Sequence, residues 1–368
     1  MNYYANELAA LKRAGRYRER RIFGDDTVDL ASNDYLGLAE NHELFAQAAE
    51  RVGREKVHAP KASMLVNGYH AIHREFEIAL CEANGFEAGI VMGSGFNANI
   101  AMIEALVRRG DELFLDEKYH ASGILASKLV EGKVTLFAHN DAADLAARLE
   151  ASGAKRRIIA VEGIYSMDGD LMAAEIFAVA ERFDALLIVD EAHSSGVVGD
   201  TLLGVFDLYG IAPKPNHLKM GTLGKAYGSF GAYVLASEHI VSYLLNRAKP
   251  VIYATAPSLF DTALAHAALN YILENAPALR RTIAARQQIV RDLLGIAPDG
   301  LIVAVPVGDN HRVMEIQAAL LEENILVGAI RQPTVDRAIL RLIGRLGVGE
   351  AALQRGCHII AHTLQLPR

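Results

Sequence analysis

Residues 185–193 read ALLIVDEAH, and this stretch indicates the fold most directly. Five apolar residues in a row, followed by acids, are typical of a strand that is buried on both faces of a parallel sheet. Short apolar runs of this kind alternate with helical patterns from about Gly68 to Gly231. The sequence therefore predicts an α/β fold, with a large and mainly parallel sheet covered by helices.

The predicted elements of this sheet follow the apolar runs. Its strands are Ala88–Met92, Glu112–Leu115, Val134–Phe137, Ile158–Val161, Ala185–Val189, Leu218–Gly221 and Gly231–Leu235. Helices are predicted between them at Asn97–Arg108, Ser122–Leu129, Ala142–Leu149 and Glu175–Arg182. Ligands of such sheets bind beyond the carboxyl ends of the strands. We therefore expect one rim of the sheet to carry Gly93, Glu162, Asp190 and Thr222.

The chain of 368 residues is too long for a single ordinary core. We predict an N-terminal helical segment over residues 1–35, a large α/β domain over residues 36–255 and a smaller α+β domain over residues 256–368. The last part begins with a long helical region from Pro257 to about Leu294. It continues with strands at Leu301–Val305, Ile325–Ala329 and Leu340–Ile343, a helix at His311–Glu323 and a last helix from about Gly349.

Composition and charge argue against several classes of function. The net charge of −7 gives no positive field that would attract nucleic acid. The N-terminus has no apolar signal core, and no segment reaches the ~18 apolar residues of a spanning helix, so we expect a cytoplasmic protein without a membrane partner. Cys81 and Cys357 suit neither a disulfide framework nor a metal site, and no metal is expected.

The chemistry is indicated by residues 221–228, which read GTLGKAYG. A lone lysine among glycines is usually solvated, and a lone acid after a strand usually caps a turn. Together, however, Lys225, Asp190 and His193 are what a pyridoxal phosphate (PLP) enzyme needs. The lysine amine would form a Schiff base, and the acid would keep the ring nitrogen protonated. Thr222 could meet the phosphate.

A second motif competes with this interpretation. Residues 93–98 read GSGFNA between a predicted strand and a predicted helix, so their N–H groups and the helix dipole would hold a phosphate. The pattern also fits dinucleotide binding, because Asp116 follows at about the 20-residue spacing of a ribose-binding acid. A nicotinamide cofactor, however, would leave Lys225, Asp190 and His193 without a role. We therefore expect PLP, with an NAD-dependent oxidoreductase as the alternative.

Three further residues stand out, each with a plainer explanation. His120 could lie flat on the cofactor ring, or it could be an ordinary residue at the start of a helix. Ser166 belongs to the polar loop EGIYSMDGD at residues 162–170, and only the place of that loop on the rim favours a function. Arg341 is a cation inside an apolar strand and should meet a carboxylate, either of the protein or of a substrate.

Taken in order along the chain, these motifs resemble those of the α-oxoamine synthases. The resemblance runs from Asn33 to at least Arg341 and rests on NDYLG at 33–37, SGFNAN at 94–99, HAS at 120–122, EGIYSMDGD at 162–170, DEAH at 190–193 and TLGK at 222–225. It implies a PLP-dependent transferase of fold type I that condenses an amino acid with an acyl thioester and releases CO2. Within the family, FAHND at 137–141, VGDN at 307–310 and AIRQPTV at 329–335 resemble the branch that uses L-alanine and a pimeloyl thioester.

The resemblance implies a role for each candidate residue. The catalytic residues would be Lys225, His193, Asp190 and His120. The cofactor would contact Gly95, Phe96, His120, Ser166, Asp190, His193, Thr222 and Lys225, together with Thr255 of a partner subunit, which implies a homodimer. The substrates would contact Arg18, His120, Thr334 and Arg341.

Several alternatives stay open at this point. Residues 59–68 read APKASMLVNG where the family has a glycine- and serine-rich segment, and the bulk of Met64 and Leu65 should alter the backbone there and bear on the choice of acyl chain. Other members of the family join glycine with acetyl- or succinyl-CoA, or serine with a long-chain acyl thioester. The carrier could be coenzyme A or acyl carrier protein. A catalytically dead PLP-fold binding protein is a further alternative, against which the intact Lys225, Asp190 and His193 argue.

Overall fold

The computed structural model describes residues 2–364, which form 13 α-helices and 12 β-strands. The strands are β1 (Val28–Asp29), β2 (Ala88–Met92), β3 (Glu112–Asp116), β4 (Lys133–Phe137), β5 (Arg157–Glu162), β6 (Leu186–Asp190), β7 (His217–Thr222), β8 (Ala232–Ala236), β9 (Ile302–Gly308), β10 (Ile325–Leu326), β11 (Gly328–Ile330) and β12 (Ala338–Ile343). Each predicted strand of the large sheet is present, with its ends shifted by at most two residues.

The helices are α1 (Tyr3–Arg13), α2 (His42–Gly53), α3 (Ala71–Asn84), α4 (Gly95–Leu106), α5 (Ala121–Ser127), α6 (Ala142–Glu150), α7 (Glu175–Arg182), α8 (Val205–Leu208), α9 (Glu238–Arg247), α10 (Lys249–Ile252), α11 (Leu259–Leu294), α12 (Asn310–Glu322) and α13 (Glu350–Leu364). A 3₁₀ turn lies at Leu38–Glu40 and a π-helical turn at Met64–Gly68. Within residues 2–364, no helix has both the length and the apolar character needed to cross a membrane.

One compact unit comprises Asp34–Ser166 and Asp170–Arg281. It contains a seven-stranded sheet in the order β2-β8-β7-β6-β5-β3-β4. Strand β8 runs antiparallel to both of its neighbours, and the other neighbouring pairs are parallel. The inner strands of the sheet are buried because their sequences are almost continuously apolar; every residue of β3 and of β8 is buried. The predicted α/β fold with a mainly parallel sheet is confirmed.

The register of this sheet places the predicted rim residues at one edge. Glu162 of β5 pairs with Asp190 of β6. Met92, which precedes the glycine-containing loop, and Thr222 both pair with Ala232 of β8. The carboxyl ends of β2, β5, β6 and β7 therefore meet at the same edge, where a ligand of such a sheet is expected.

The second unit gathers the chain before Asp34, the segment Met167–Gly169 and the chain from Thr282 onward. It has an antiparallel sheet in the order β11-β12-β9 and a separate parallel pair formed by β1 and β10. The sequence predicts a single strand at Ile325–Ala329, whereas the structure divides it into β10 and β11, which pair with different partners. The expected domains at residues 1–35, 36–255 and 256–368 stay a prediction.

The stretch that departs from the family pattern, residues 59–68, contains the π-helical turn. A side chain on Gly68 would lie 2.0 Å from the carbonyl oxygen of Ala62, so only glycine fits there. Leu65 and Val66 in the same turn are 50% and 78% exposed. The side chains of Leu65 and Val66 are therefore accommodated at the surface, whereas the partly buried Met64 packs against the core.

Candidate active site

Lys225 lies in the loop between β7 and β8. Gly228 of this loop has a φ of +60°, and a side chain on it would lie 2.4 Å from the backbone of Leu38, so the turn needs a glycine. The loop holds the partly buried Lys225 with its Nζ 2.8 Å from Nε2 of His193. The structure thus brings together two of the residues that the sequence singles out.

His193 follows β6 and is 5% exposed. Its Nδ1 lies 2.5 Å from the hydroxyl oxygen of Tyr35. An imidazole with a partner at each nitrogen has a fixed orientation and can take up a proton at one nitrogen while releasing one at the other. Tyr35 stands 158 residues before His193. Tyr35 is not among the residues predicted for the site, although it belongs to the NDYLG motif.

Asp190 is the last residue of β6 and is buried. Its Oδ2 accepts a hydrogen bond from Nδ2 of Asn99 at 2.8 Å, and its Oδ1 accepts one from the N–H of Ala192 at 3.0 Å. Donors at both oxygens stabilise a carboxylate in a buried place. A charged, fixed carboxylate at this edge can hold a proton on a heterocyclic nitrogen.

Asn99 is a site residue that the sequence analysis missed. It lies on α4 and is buried. Besides its bond to Asp190, its Nδ2 donates to the hydroxyl of Ser122 at 2.9 Å and its Oδ1 accepts from the hydroxyl of Tyr119 at 2.8 Å. A signal was available, because a buried amide in an apolar helix has to be hydrogen-bonded.

His120 precedes α5 and caps its first turn. Its Nδ1 accepts the N–H of Ser122 at 3.2 Å and lies 2.7 Å from the hydroxyl of the same residue. Burial lowers the pKa of His120 below its ordinary value; the charge of Asp190 opposes this effect, and that of Lys225 adds to it. His120 therefore begins a helix and lies within the electrostatic reach of Lys225 and Asp190, while its contact with a cofactor ring stays a prediction.

The start of α4 has the features of a phosphate-binding site. Ser94 caps the helix by accepting the N–H of Asn97 at 3.2 Å, and Gly95 and Phe96 follow as its first residues. The first N–H groups of a helix have no acceptor within it, and the helix dipole favours an anion there. A side chain on Gly95 would lie 3.7 Å from Cβ of Thr222, so the end of β7 lies beside this helix start.

Ser166 lies in the loop after β5 and is 3% exposed. Its N–H donates to Oε2 of Glu162 at 3.0 Å. Since Glu162 pairs with Asp190 in the sheet, this bond fixes Ser166 to the same edge as Asp190.

Both carboxylate oxygens of Asp116, the acid of the alternative dinucleotide-binding motif, are already hydrogen-bonded. Oδ1 accepts the N–H of Lys118 and lies 3.0 Å from Nδ1 of His139. Oδ2 accepts the N–H of Asn140 and the hydroxyl of Tyr165, each within 2.8 Å. A carboxylate with this many partners has little capacity left for a ribose, which argues against the nicotinamide alternative.

His139 gives the unit that contains the seven-stranded sheet a pH-dependent contribution to stability. Burial would lower its pKa, but hydrogen bonds to Asp116 and Asp170 outweigh burial and raise the pKa of His139 to about 9. Its stabilising charge is fully present below the ordinary pKa of about 6.5 and is lost as the pH rises through the folded-state value. We expect the free energy of unfolding of the wild type, relative to His139→Gln, to fall by about 3 kcal/mol between pH 6 and pH 10.

Urea unfolding of the two proteins across that range measures this difference. His239→Gln, at an exposed position of α9, is the matched control and should show no comparable trend. A difference between wild type and His139→Gln that stays constant with pH would contradict the assigned ion pairs.

Three predicted substrate residues lie in the second unit. Nη2 of Arg18 lies 3.4 Å from the hydroxyl of Thr334, and both residues are exposed. Arg341, on β12, is 6% exposed and donates from Nη1 to Oδ1 of Asn33 at 3.0 Å. Arg18 therefore contacts Thr334, and Arg341 contacts Asn33, the first residue of the NDYLG motif.

Thr255 lies outside this cluster. It is an exposed residue of the irregular segment between α10 and α11. A cavity of about 520 Å³ also lies elsewhere, at the amino ends of β5 and β6, where Arg157, Ile158 and Leu186 line it. The chemistry-bearing residues thus gather at the carboxyl edge of the sheet and not at this cavity.

The chain is similar to known proteins over most of its length. The family model for aminotransferase class I and II matches residues 25–360. A curated 8-amino-7-oxononanoate synthase from Helicobacter pylori is 42% identical over 341 residues, which are 92% of this chain and 91% of that protein. Another, from Geobacter sulfurreducens, is 38% identical over 358 residues, which are 92% of this chain and 91% of that protein.

Solved structures give the same fold. An 8-amino-7-oxononanoate synthase from Francisella tularensis matches with a TM-score of 0.77 at 25% identity, over 93% of this chain and 99% of that one. A serine palmitoyltransferase from S. paucimobilis matches with a TM-score of 0.89 at 23% identity, over 99% of this chain and 97% of that one. The second likeness shows the fold alone, and it confirms the fold that the resemblance implied.

Proposed function

Because the chain belongs to the aminotransferase class I and II family, we propose that it is a PLP-dependent α-oxoamine synthase. Its reaction would join L-alanine to a pimeloyl thioester and give 8-amino-7-oxononanoate, CO2 and a free thiol, a step of biotin biosynthesis. The curated 8-amino-7-oxononanoate synthases, which align over most of both chains, support this choice within the family. The observation that carries the proposal is the amine of Lys225 held 2.8 Å from Nε2 of His193.

The residues at the carboxyl edge of the sheet fit PLP. Lys225 offers an amine for its aldehyde, and Asp190 offers a buried carboxylate for its ring nitrogen. The start of α4 at Gly95 and Phe96 offers N–H groups for its phosphate, with the hydroxyl of Thr222 nearby. When bound, PLP supplies a ring that draws electrons away from the α-carbon of an amino acid.

The side chains of the site would carry out the proton transfers and hold the cofactor ring. Lys225 would remove the α-proton of the amino acid at Nζ as a general base, and His193, fixed by Tyr35, can accept from or donate to the same amine. Asp190, hydrogen-bonded by Asn99, would keep the ring nitrogen protonated. His120 has a lowered pKa and would offer a neutral ring against the cofactor.

The bond changes follow from the substrates. A carbon–carbon bond forms between the α-carbon of alanine and the thioester carbonyl carbon, and the carbon–sulfur bond breaks to release the thiol. The bond from the α-carbon to the carboxylate then breaks to release CO2, and a proton replaces it. Arg341, oriented by Asn33, would bind the alanine carboxylate before that step, and Arg18 and Thr334 would contact the substrate.

A homodimer in the cytoplasm belongs to the same proposal. Its support is that Thr255, the residue predicted to reach the cofactor of a partner subunit, is exposed, and that Tyr253, two residues earlier, is 80% exposed. An exposed segment of this kind can contact a second subunit. Sedimentation of the purified protein at twice the chain mass of 39.9 kDa is the expected result, and a monomer at micromolar concentration would contradict it.

The function is tested by thiol release from purified protein supplied with PLP. Alanine, glycine and serine are each combined with acetyl, succinyl, pimeloyl and palmitoyl thioesters. We expect alanine with pimeloyl thioester to exceed every other pair by about tenfold or more. Preference for another pair would replace the substrate assignment within the family. A lack of thiol release with every pair, at the level of Lys225→Ala, would contradict an α-oxoamine synthase.

A further inference from the structure

Two acids stand side by side at the carboxyl edge of the sheet. Glu162 and Asp190 are register partners at the ends of the parallel strands β5 and β6, and they are 1% and 3% exposed. Two carboxylates that are neighbours in a place without water cannot both be ionised at low cost. One of the two acids should therefore keep its proton.

The hydrogen bonds decide which acid is ionised. Asp190 has an N–H donor at each oxygen, from Asn99 and Ala192. Oε2 of Glu162 accepts the N–H of Ser166, and the N–H of His120 also bonds to this carboxyl group, but its buried Oε1 has no hydrogen-bond partner among residues 2–364. An ionised carboxylate with a bare buried oxygen is costly, whereas a protonated one is tolerated.

The electrostatics of the surrounding groups point the same way. Burial, and next the charge of Asp190, raise the pKa of Glu162 well above its ordinary value. The charge of Lys225 and the N–H groups of Ser166 and His120 lower it, but to a smaller extent.

Two phenols also face this acid. The hydroxyl of Tyr119 donates to Asn99 and that of Tyr165 donates to Asp116, so neither hydroxyl is directed to Glu162.

We propose that Glu162 is a positioning residue that works as a neutral carboxylic acid. In that form its Oε2 holds the backbone of Ser166 at the edge of the sheet without placing a second negative charge beside Asp190. The negative charge of the pair then belongs to Asp190, whose oxygens accept hydrogen bonds from Asn99 and Ala192. This inference rests on the proposed function, because it assigns to Asp190 the partnership with the cofactor's ring nitrogen.

The experiment compares Glu162→Gln with wild type by a readout that needs PLP but no substrate. Glutamine has the shape of a neutral glutamic acid and can still accept the N–H of Ser166. The visible absorption of the PLP-loaded protein is titrated from pH 5 to pH 10, and the affinity for PLP is measured by titration of the cofactor-free protein. We expect Glu162→Gln to leave the absorption midpoint within about 0.3 pH unit and the affinity within about threefold.

An ionised Glu162 would give a different result. Its replacement by glutamine would remove a negative charge near Lys225 and lower the midpoint by about one pH unit or more. Such a shift would overturn the inference. Glu82→Gln, at an exposed position of α3, controls for a general change in charge.

A third variant tests the positioning role. Glu162→Ala removes the acceptor of the Ser166 N–H, and we expect it to weaken PLP binding at least about tenfold while Glu162→Gln does not. Equal affinity for PLP in Glu162→Ala and Glu162→Gln would overturn the positioning role. Thermal melting shows whether Glu162→Ala is folded. If wild type itself shows no visible band with PLP, the proposed function fails; if wild type shows the band and glutamine shifts it, only this inference fails.

Discussion

Lys225→Ala is expected to lower the rate of condensation by on the order of 10⁴-fold and to remove the visible absorption of the PLP-loaded protein. The reason is that one nitrogen has two tasks: it is the amine that captures the cofactor's aldehyde, and it is the base that takes the α-proton. The imidazole of His193, which lies 2.8 Å from Nζ of Lys225, does not replace it, because an imidazole cannot form the same link to an aldehyde.

The measurement combines absorbance with thiol release and with borohydride reduction followed by peptide mass mapping. In wild type, reduction should fix the cofactor on the peptide that contains Lys225. Lys155→Ala, at an exposed lysine of the same unit, should keep both the band and the activity. A cofactor found on any other lysine of the wild type would contradict the assignment.

The strands of the large sheet could be predicted from the sequence because each is a short apolar run bounded by polar residues. The strand Ala88–Met92 and the helix Glu175–Arg182 have the predicted ends. The pair formed by β1 and β10 could not be predicted, because each strand has two residues and their partnership spans most of the chain. Local patterns do not encode such pairings.

The residues of the candidate site also divide into those that could be predicted from the sequence and those that could not. Lys225, Asp190 and His193 were found because the ends of parallel strands converge, so residues that follow successive strands become neighbours. Tyr35 and Asn99 were missed as contacts, since each is fixed by long-range packing: Asn99 reaches Asp190 from a helix 91 residues earlier in the chain. The neutral state of Glu162 depends on counting donors around two acids, which needs coordinates.

Asp190→Asn is expected to lower the rate of condensation by on the order of 10³-fold while the PLP-loaded protein keeps a visible band. Asparagine has the shape of aspartate and can still accept a hydrogen bond from Asn99 or Ala192, but it carries no charge. Without that charge the ring nitrogen loses its proton, and the ring becomes a weaker acceptor for the electrons of the α-carbon. Lys225 is unchanged, so the cofactor remains attached.

Two measurements separate this effect from a loss of binding. Exchange of the α-proton of alanine for deuterium, followed by NMR, should slow about as much as thiol release, because the weakened ring acts at the step in which that proton leaves. Asn99→Ala is the matched comparison: it removes one donor to Asp190 and leaves the charge in place, so its loss should be smaller, about tenfold. If Asp190→Asn retained rapid α-proton exchange, the carboxylate of Asp190 would not be the partner of the ring nitrogen. A neutral Glu162 would then have no function in keeping a single charge at Asp190.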